Sequence, residues 1–191
     1  MDYESANSAP DVRWYALFTR SRQERVASMR LQALDVPFFL PMNDEVHQWS
    51  DRKQVVSVPL FPGYLFVHIE RLSKKRLHVV NAPGVVGFVG NRSGPLPIPD
   101  SEIESIRAVF TRGEKCRPHA FLKEGDRVRM VRGPLSGIEG TLLRSGAKAQ
   151  LVVSINIIQR SVAVVVSEKN VEPILTGSRG TLKADPPPAV A

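Results

Sequence analysis

Val58-Pro59-Leu60-Phe61-Pro62-Gly63-Tyr64-Leu65-Phe66-Val67 sets the organisation of the chain. From Tyr64 to Ile69 aromatic and aliphatic residues dominate, which predicts a strand in the middle of a sheet. Pro59 to Gly63 carries two prolines and a glycine, so the backbone must turn sharply just before that strand. The turn also carries Leu60 and Phe61, large apolar residues at a place where loops are ordinarily polar. A core requires the strand but not an apolar loop tip. The turn is therefore expected to be a docking surface.

On the N-terminal side, a lead expected to be disordered precedes Trp14-Tyr15-Ala16-Leu17-Phe18-Thr19, whose residue types fit a second strand. Thr19 to Arg22 is expected to open a helix running to Leu34, with Val26, Ala27, Leu31 and Leu34 on one face and Arg30 snorkelling out of it. Arg20, Arg22 and Arg25 sit at the start of that helix, where the macrodipole disfavours cations. They mark either a nearby anion or a solvated cationic face. Pro37-Phe38-Phe39-Leu40-Pro41 reads as a short buried strand, and Asn43 to Val58 as a polar hairpin or long loop with Trp49 near its tip.

Beyond Ile69, Ser73 to Val80 predicts a short helix with Lys74, Lys75 and Arg76 facing out, ended by Asn81-Ala82-Pro83-Gly84. Val85 to Val89 is another strand, Pro95, Pro97 and Pro99 form an extended connector, and Ser101 with Glu104 makes a capping box for a helix to Arg112. This order predicts an α+β sandwich with helices against a mainly antiparallel sheet. Residues 113–120 lack periodicity and read as a linker. After Phe121 come strands near 127–132, 138–144, 148–154, 160–166 and 171–174, parted by turn residues. Five short strands in this space predict a small closed barrel, since closure removes exposed edges. Residues 177–191, with Pro186-Pro187-Pro188, are expected to be a disordered tail.

The 191 residues have room for one ordinary domain or two small ones, at a hydrophobic share of 42% and a charged share of 24% that suit a soluble fold. One cysteine, Cys116, leaves no internal disulfide framework and suits a reducing cytosol. The acidic, polar start shows no signal peptide, and no apolar run is long enough to span a bilayer, so the expected location is cytoplasmic. The net charge is +7, divided as +2 over residues 1–112 and +5 over residues 113–191. Such a surplus fits contact with a polyanion, and equally a basic but inert surface. His47, His68, His78 and His119 are scattered without metal-ligand spacing. No nucleophile-and-base set or phosphate-cradling glycine loop appears, so neither catalysis, a cofactor nor a metal is expected.

Two signatures stand together. Lys123-Glu124-Gly125-Asp126-Arg127-Val128-Arg129-Met130-Val131-Arg132-Gly133-Pro134-Leu135-Ser136-Gly137-Ile138-Glu139-Gly140 resembles the KOW motif. Ahead of it stand Trp14-Tyr15, then Leu60 to Val67, then Asn81-Ala82-Pro83-Gly84-Val85-Val86-Gly87-Phe88-Val89-Gly90. In that order, over residues 13–175, they resemble the bacterial NusG family of transcription factors, and more narrowly its specialised paralogues of the UpxY and RfaH kind. The resemblance implies an NGN-like domain at 13–112, a linker at 113–120 and a five-stranded SH3-like KOW domain at 121–176.

It also implies partners. The first domain would sit on the clamp helices of the largest RNA polymerase subunit through Tyr15, Phe61, Pro62, Gly63, Tyr64, Pro83, Gly84 and Val85. Arg20, Arg22, Arg25 and Asn81 match positions near the non-template DNA strand. Where some relatives have Asn-Thr before Pro-Gly, this chain has Asn81-Ala82, without the hydroxyl. The KOW domain would recruit Rho or a ribosomal small-subunit protein through Ile155, Ile157, Ile158 and Arg160. There the common Ile-Phe-Gly-Arg loop is replaced by Ile157-Ile158-Gln159-Arg160, and those isoleucines are expected to lie exposed. The β-branched run through Val152, Val153, Val162 and Val164 to Val166 predicts a stable barrel rather than a helical alternative. The implied role is suppression of pausing and termination by a monomer serving particular operons. A general elongation factor of the same family is the alternative. So is RNA binding by the KOW half, although residues 113–191 offer one aromatic, Phe121, for stacking.

Overall fold

A computed structural model describes residues 11–48, 53–71, 73–111, 116–119, 125–145 and 148–174. Of the N-terminal lead expected to be disordered over residues 1–12, residues 1–10 lie outside the described residues while Val12 already begins a strand; the hairpin tip with Trp49, the C-terminal tail and Phe121 also lie outside them. The chain divides into two compact units: the first runs to Val89 and adds Pro95–Ile103, and the second takes Gly90–Gly94 and the chain from Glu104 onward.

The elements of the first half are β1 (Val12–Thr19), α1 (Glu24–Ala33), β2 (Phe38–Phe39), β3 (Met42–Gln48), β4 (Lys53–Pro59), β5 (Tyr64–Glu70), α2 (Lys75–Val80), β6 (Val85–Phe88), β7 (Gly90–Asn91), β8 (Gly94–Pro95), β9 (Pro97–Ile98) and α3 (Asp100–Thr111). The main sheet runs β2-β5-β1-β6, with β9 also on β1, and every pairing is antiparallel. β1 is its hub. It pairs with β5 along its whole length on one side, and with β9 and then β6 on the other. The expected antiparallel α+β layer is thus present, and β3 with β4 forms the expected hairpin.

The strand period of two divides β1 between two faces. Tyr15 and Leu17 join Leu65, Val67 and Ile69 of β5 in a core that also takes Ala27 and Leu31 of α1 and Val79 of α2. Trp14, Ala16 and Phe18 lie on the opposite face, where Trp14 stacks on His68 with ring centroids 4.6 Å apart. α1 starts at Glu24, later than expected, because Arg22 adopts a left-handed φ of 60° that no helix can include. Val26, expected toward the core, is exposed. α3 begins one residue before Ser101, so the expected capping serine sits inside its first turn. Ile103, Ile106 and Val109 form its buried stripe.

The second half contains β10 (Cys116–His119), β11 (Asp126–Met130), β12 (Glu139–Ser145), β13 (Lys148–Ile155), β14 (Arg160–Val166), a 3-10 turn at Glu168–Asn170 and β15 (Val171–Pro173). These strands form a six-stranded antiparallel sheet in the order β10-β14-β13-β12-β11-β15. Five match the expected strands. The sixth, β10, lies where a linker was expected: Cys116 to His119 pair with Val164 to Ser161, so distant partners rather than local pattern make this strand. Leu142, Leu151, Val153, Ile155, Val162 and Val164 are buried. Gly140 is held by crowding, for a Cβ there would lie 2.6 Å from the Val152 carbonyl oxygen.

Candidate docking site at one end of the first sheet

β5 and β6 both run antiparallel to β1, so both begin where β1 ends. Each is entered through a Pro-Gly turn. In Phe61-Pro62-Gly63-Tyr64 the Tyr64 N–H donates to the Phe61 carbonyl at 3.0 Å; in Ala82-Pro83-Gly84-Val85 the Val85 N–H donates to the Ala82 carbonyl at 3.0 Å. Gly63 and Gly84 have φ of +84° and +87°, so proline in the first corner and glycine in the second produce type II geometry twice. The end of β1 joins them. Thr19 N–H donates to the Gly63 carbonyl and Arg20 N–H to the Gly84 carbonyl, each at 2.8 Å. Three segments far apart in sequence thus form one rigid rim.

Burial on this rim overturns one sequence expectation. Phe61 is 2% exposed and Leu60 is also buried, so the apolar turn is sealed within its own unit. The physical reason lies across the sheet. Ala16 opposes Phe66 on the second face, and Phe61 packs edge-on against Phe66 with centroids 5.9 Å apart. Tyr15 and Val85 are buried too, on the helix-covered face. These three residues support the rim instead of presenting a surface.

Phe18, one strand residue among others in the sequence pattern, is the exposed aromatic of this rim among the described residues. It is 42% exposed. Its cross-strand partner on β6 is Gly87, which has no side chain to cover it, and on the other side its ring tilts against half-buried Tyr64 at 5.6 Å. The pairing register slips between Phe18 and Thr19, and next to that irregularity Val86 is exposed. Alternation along β1 already put Phe18 opposite the core; the glycine facing it was the missing signal. Pro62 and Pro83 are exposed at the turn corners, while Gly84 is buried.

A cleft of about 510 Å³ borders this apolar surface, lined by Phe18, Thr19, Ser21, Arg22, Glu24, Arg25, Pro59, Pro62 and Gly63. Arg20, Arg22 and Arg25 are all exposed, and Arg25 Nη2 donates to the Ser57 carbonyl at 2.9 Å, tying the helix start to β4. Asn81 is exposed at the end of α2. The arrangement is an aromatic and proline surface edged by guanidinium groups, suited to an apolar protein projection with anionic neighbours. Among the described residues no three His, Cys, Asp or Glu side chains gather to hold a metal ion, and no helix is long and apolar enough to cross a membrane.

In the second unit the β13–β14 connection is a four-residue loop, Asn156 to Gln159, closed by Gln159 N–H on the Asn156 carbonyl at 3.1 Å. Contrary to expectation, Ile155 and Ile158 are buried: Ile155 continues the inward row of β13, and Ile158 is 6% exposed within the loop itself. Ile157 is half-buried and Arg160 exposed, so the outward surface is Asn156, Ile157, Gln159 and Arg160. Gln159 holds a left-handed φ of 49°.

Comparison with known proteins gives this geometry a family. The family model described as transcription termination factor NusG matches residues 12–107, half of the chain. The transcription termination/antitermination protein NusG of Thermus thermophilus is 32% identical over 149 residues, covering 69% of this chain and 81% of the relative. The chain belongs to the NusG family. The NusG protein of Pseudomonas aeruginosa is 27% identical over 175 residues, covering 85% of this chain and 98% of the relative. A solved structure of Thermotoga maritima NusG covers 85% of this chain and 97% of that one at a TM-score of 0.50 and 22% identity, a likeness of fold. Curated members of the family carry the name of transcription termination and antitermination proteins; they are transcription factors and not enzymes.

Proposed function

We propose that this NusG-family chain docks on RNA polymerase through the rim at the end of its first sheet, taking the clamp helices of the largest subunit on Phe18, Tyr64 and Pro62. The observation that carries the reading is the aromatic pair of exposed Phe18 and half-buried Tyr64 beside a proline corner, held on backbone that is hydrogen-bonded from three sides. Preorganised aromatic anchors are the groups that dominate protein interfaces. Tyr15, Phe61 and Val85 act from beneath, and Gly63, Pro83 and Gly84 fix the turns. Arg20, Arg22, Arg25 and Asn81 face the non-template DNA strand, where guanidinium groups make phosphate contacts without base reading. The second unit recruits a further protein, a ribosomal small-subunit protein or Rho, through Ile157 and Arg160. The outcome is suppression of pausing and termination, in the manner of an operon-dedicated antiterminator. The departures at Ala82 and Gln159 from the commoner family pattern favour that role over a general factor.

The test is binding of the full chain to purified RNA polymerase core enzyme. Phe18→Ala and Tyr64→Ala should each weaken binding by about 30-fold, the effect of losing a hot-spot aromatic worth about 2 kcal/mol. Undiminished binding by both variants refutes the assignment.

A further inference from the structure

Glu24 is 4% exposed, a buried carboxylate in the first turn of α1 that sequence reasoning passed over. Its Oε1 accepts the Gly63 N–H at 2.7 Å, across 39 positions of sequence. The same glycine gives its carbonyl to Thr19 N–H at 2.8 Å. Gly63 is thereby held through both peptide groups that flank its Cα, the Pro62–Gly63 amide by the helix and the Gly63–Tyr64 carbonyl by the hub strand. Its left-handed φ brings the backbone near the Phe18 ring, such that a Cβ added at Gly63 would stand 3.5 Å from Phe18 Cε2. Pro62 precedes and Tyr64 follows, so the orientation of the Gly63 peptide determines where two of the three docking groups point.

From this we infer that Glu24 is a positioning residue for the docking rim, acting through the Gly63 N–H; this rests on the polymerase-docking reading above. A carboxylate at a helix start is favoured by the macrodipole, which gives the side chain a reason to lie there without any other partner. A partly buried backbone amide that loses its acceptor is left unsatisfied, so loss of this bond should loosen the turn measurably. What the inference requires is an acceptor oxygen at the right reach, and not the charge itself.

That requirement separates three variants of the full chain. Glu24→Gln keeps an acceptor at the same distance and should bind RNA polymerase core enzyme within about twofold of wild type. Glu24→Asp keeps the charge but is one methylene short, and Glu24→Ala removes the acceptor; each should bind about tenfold more weakly. In the free protein, the Gly63 amide proton should move upfield and exchange faster in the Asp and Ala variants and stay near its wild-type shift in the Gln variant. If Glu24→Ala does not fold, the Asp and Gln pair decides the question. Wild-type binding by Glu24→Asp, or an unmoved Gly63 amide in it, overturns the inference. Failure of the wild-type chain to bind polymerase would sink the docking reading instead, while the amide measurement would still decide whether Glu24 holds the turn.

Discussion

Gly84→Ala should destabilise the first unit by about 2–4 kcal/mol, and Gly63→Ala by only about 1–2 kcal/mol, although both glycines have nearly the same φ. The shared part is conformational, since an L residue in the left-handed region costs about 1–2 kcal/mol. The difference is steric. A Cβ on Gly84 would lie 2.9 Å from the Gln23 carbonyl oxygen and 3.1 Å from Gln23 Cβ. That carbonyl cannot yield freely, because it accepts the Ala27 N–H at 2.9 Å in the opening turn of α1. Relief therefore requires either unwinding the helix start or breaking the Arg20 bond to the Gly84 carbonyl. A Cβ on Gly63 meets the edge of the Phe18 ring at 3.5 Å, an ordinary contact. Equilibrium urea unfolding followed by tryptophan fluorescence measures both variants, because Trp14 and Trp49, the two tryptophans of the chain, precede the second unit's strands. Equal costs for the two substitutions, or costs below about 0.5 kcal/mol for both, would refute the paired-turn geometry.

Two further outcomes are expected. Phe61→Ala should cost about 3–5 kcal/mol in the same unfolding experiment, as a buried phenylalanine that braces Phe66, whereas Phe18→Ala should cost about 1 kcal/mol while carrying the larger loss of polymerase binding. Gln159→Gly should stabilise the second unit by about 0.5–1 kcal/mol by relieving the left-handed φ, read as about two- to fivefold slower amide exchange in β13 and β14; unchanged or faster exchange would contradict that conformation.

Much of this fold was legible because local chemistry and tertiary structure agree. In the second unit, turn residues such as Gly133-Pro134 bracket β-branched runs, and the strands fall where the pattern puts them. Both Pro-Gly turns were readable for the same reason, since their dihedral demands are local. What escaped was decided by pairing at a distance. Phe61 looks like a loop residue until Ala16 leaves space beside Phe66 for it. Alternation puts Phe18 on the face away from the helices, but that it stands exposed there shows only once Gly87 is found opposite. Cys116 to His119 have no strand pattern of their own and borrow their structure from β14. Glu24 left a faint trace, a lone acid among Arg20, Arg22 and Arg25, but only the folded chain tells that its partner is an amide on another segment.

The central position of β1 has a bearing on how the first unit comes into being. As synthesis proceeds from the N-terminus, Trp14 and Leu17 leave the ribosome long before β5, β6 and β9, and the last of the three is complete only when Ile98 has been added. An early nascent chain therefore carries an apolar ribbon with nothing to zip against until β5 has been made, and the sheet is complete only with β9. Until then its greasiest segment would rely on whatever shelters emerging polypeptides.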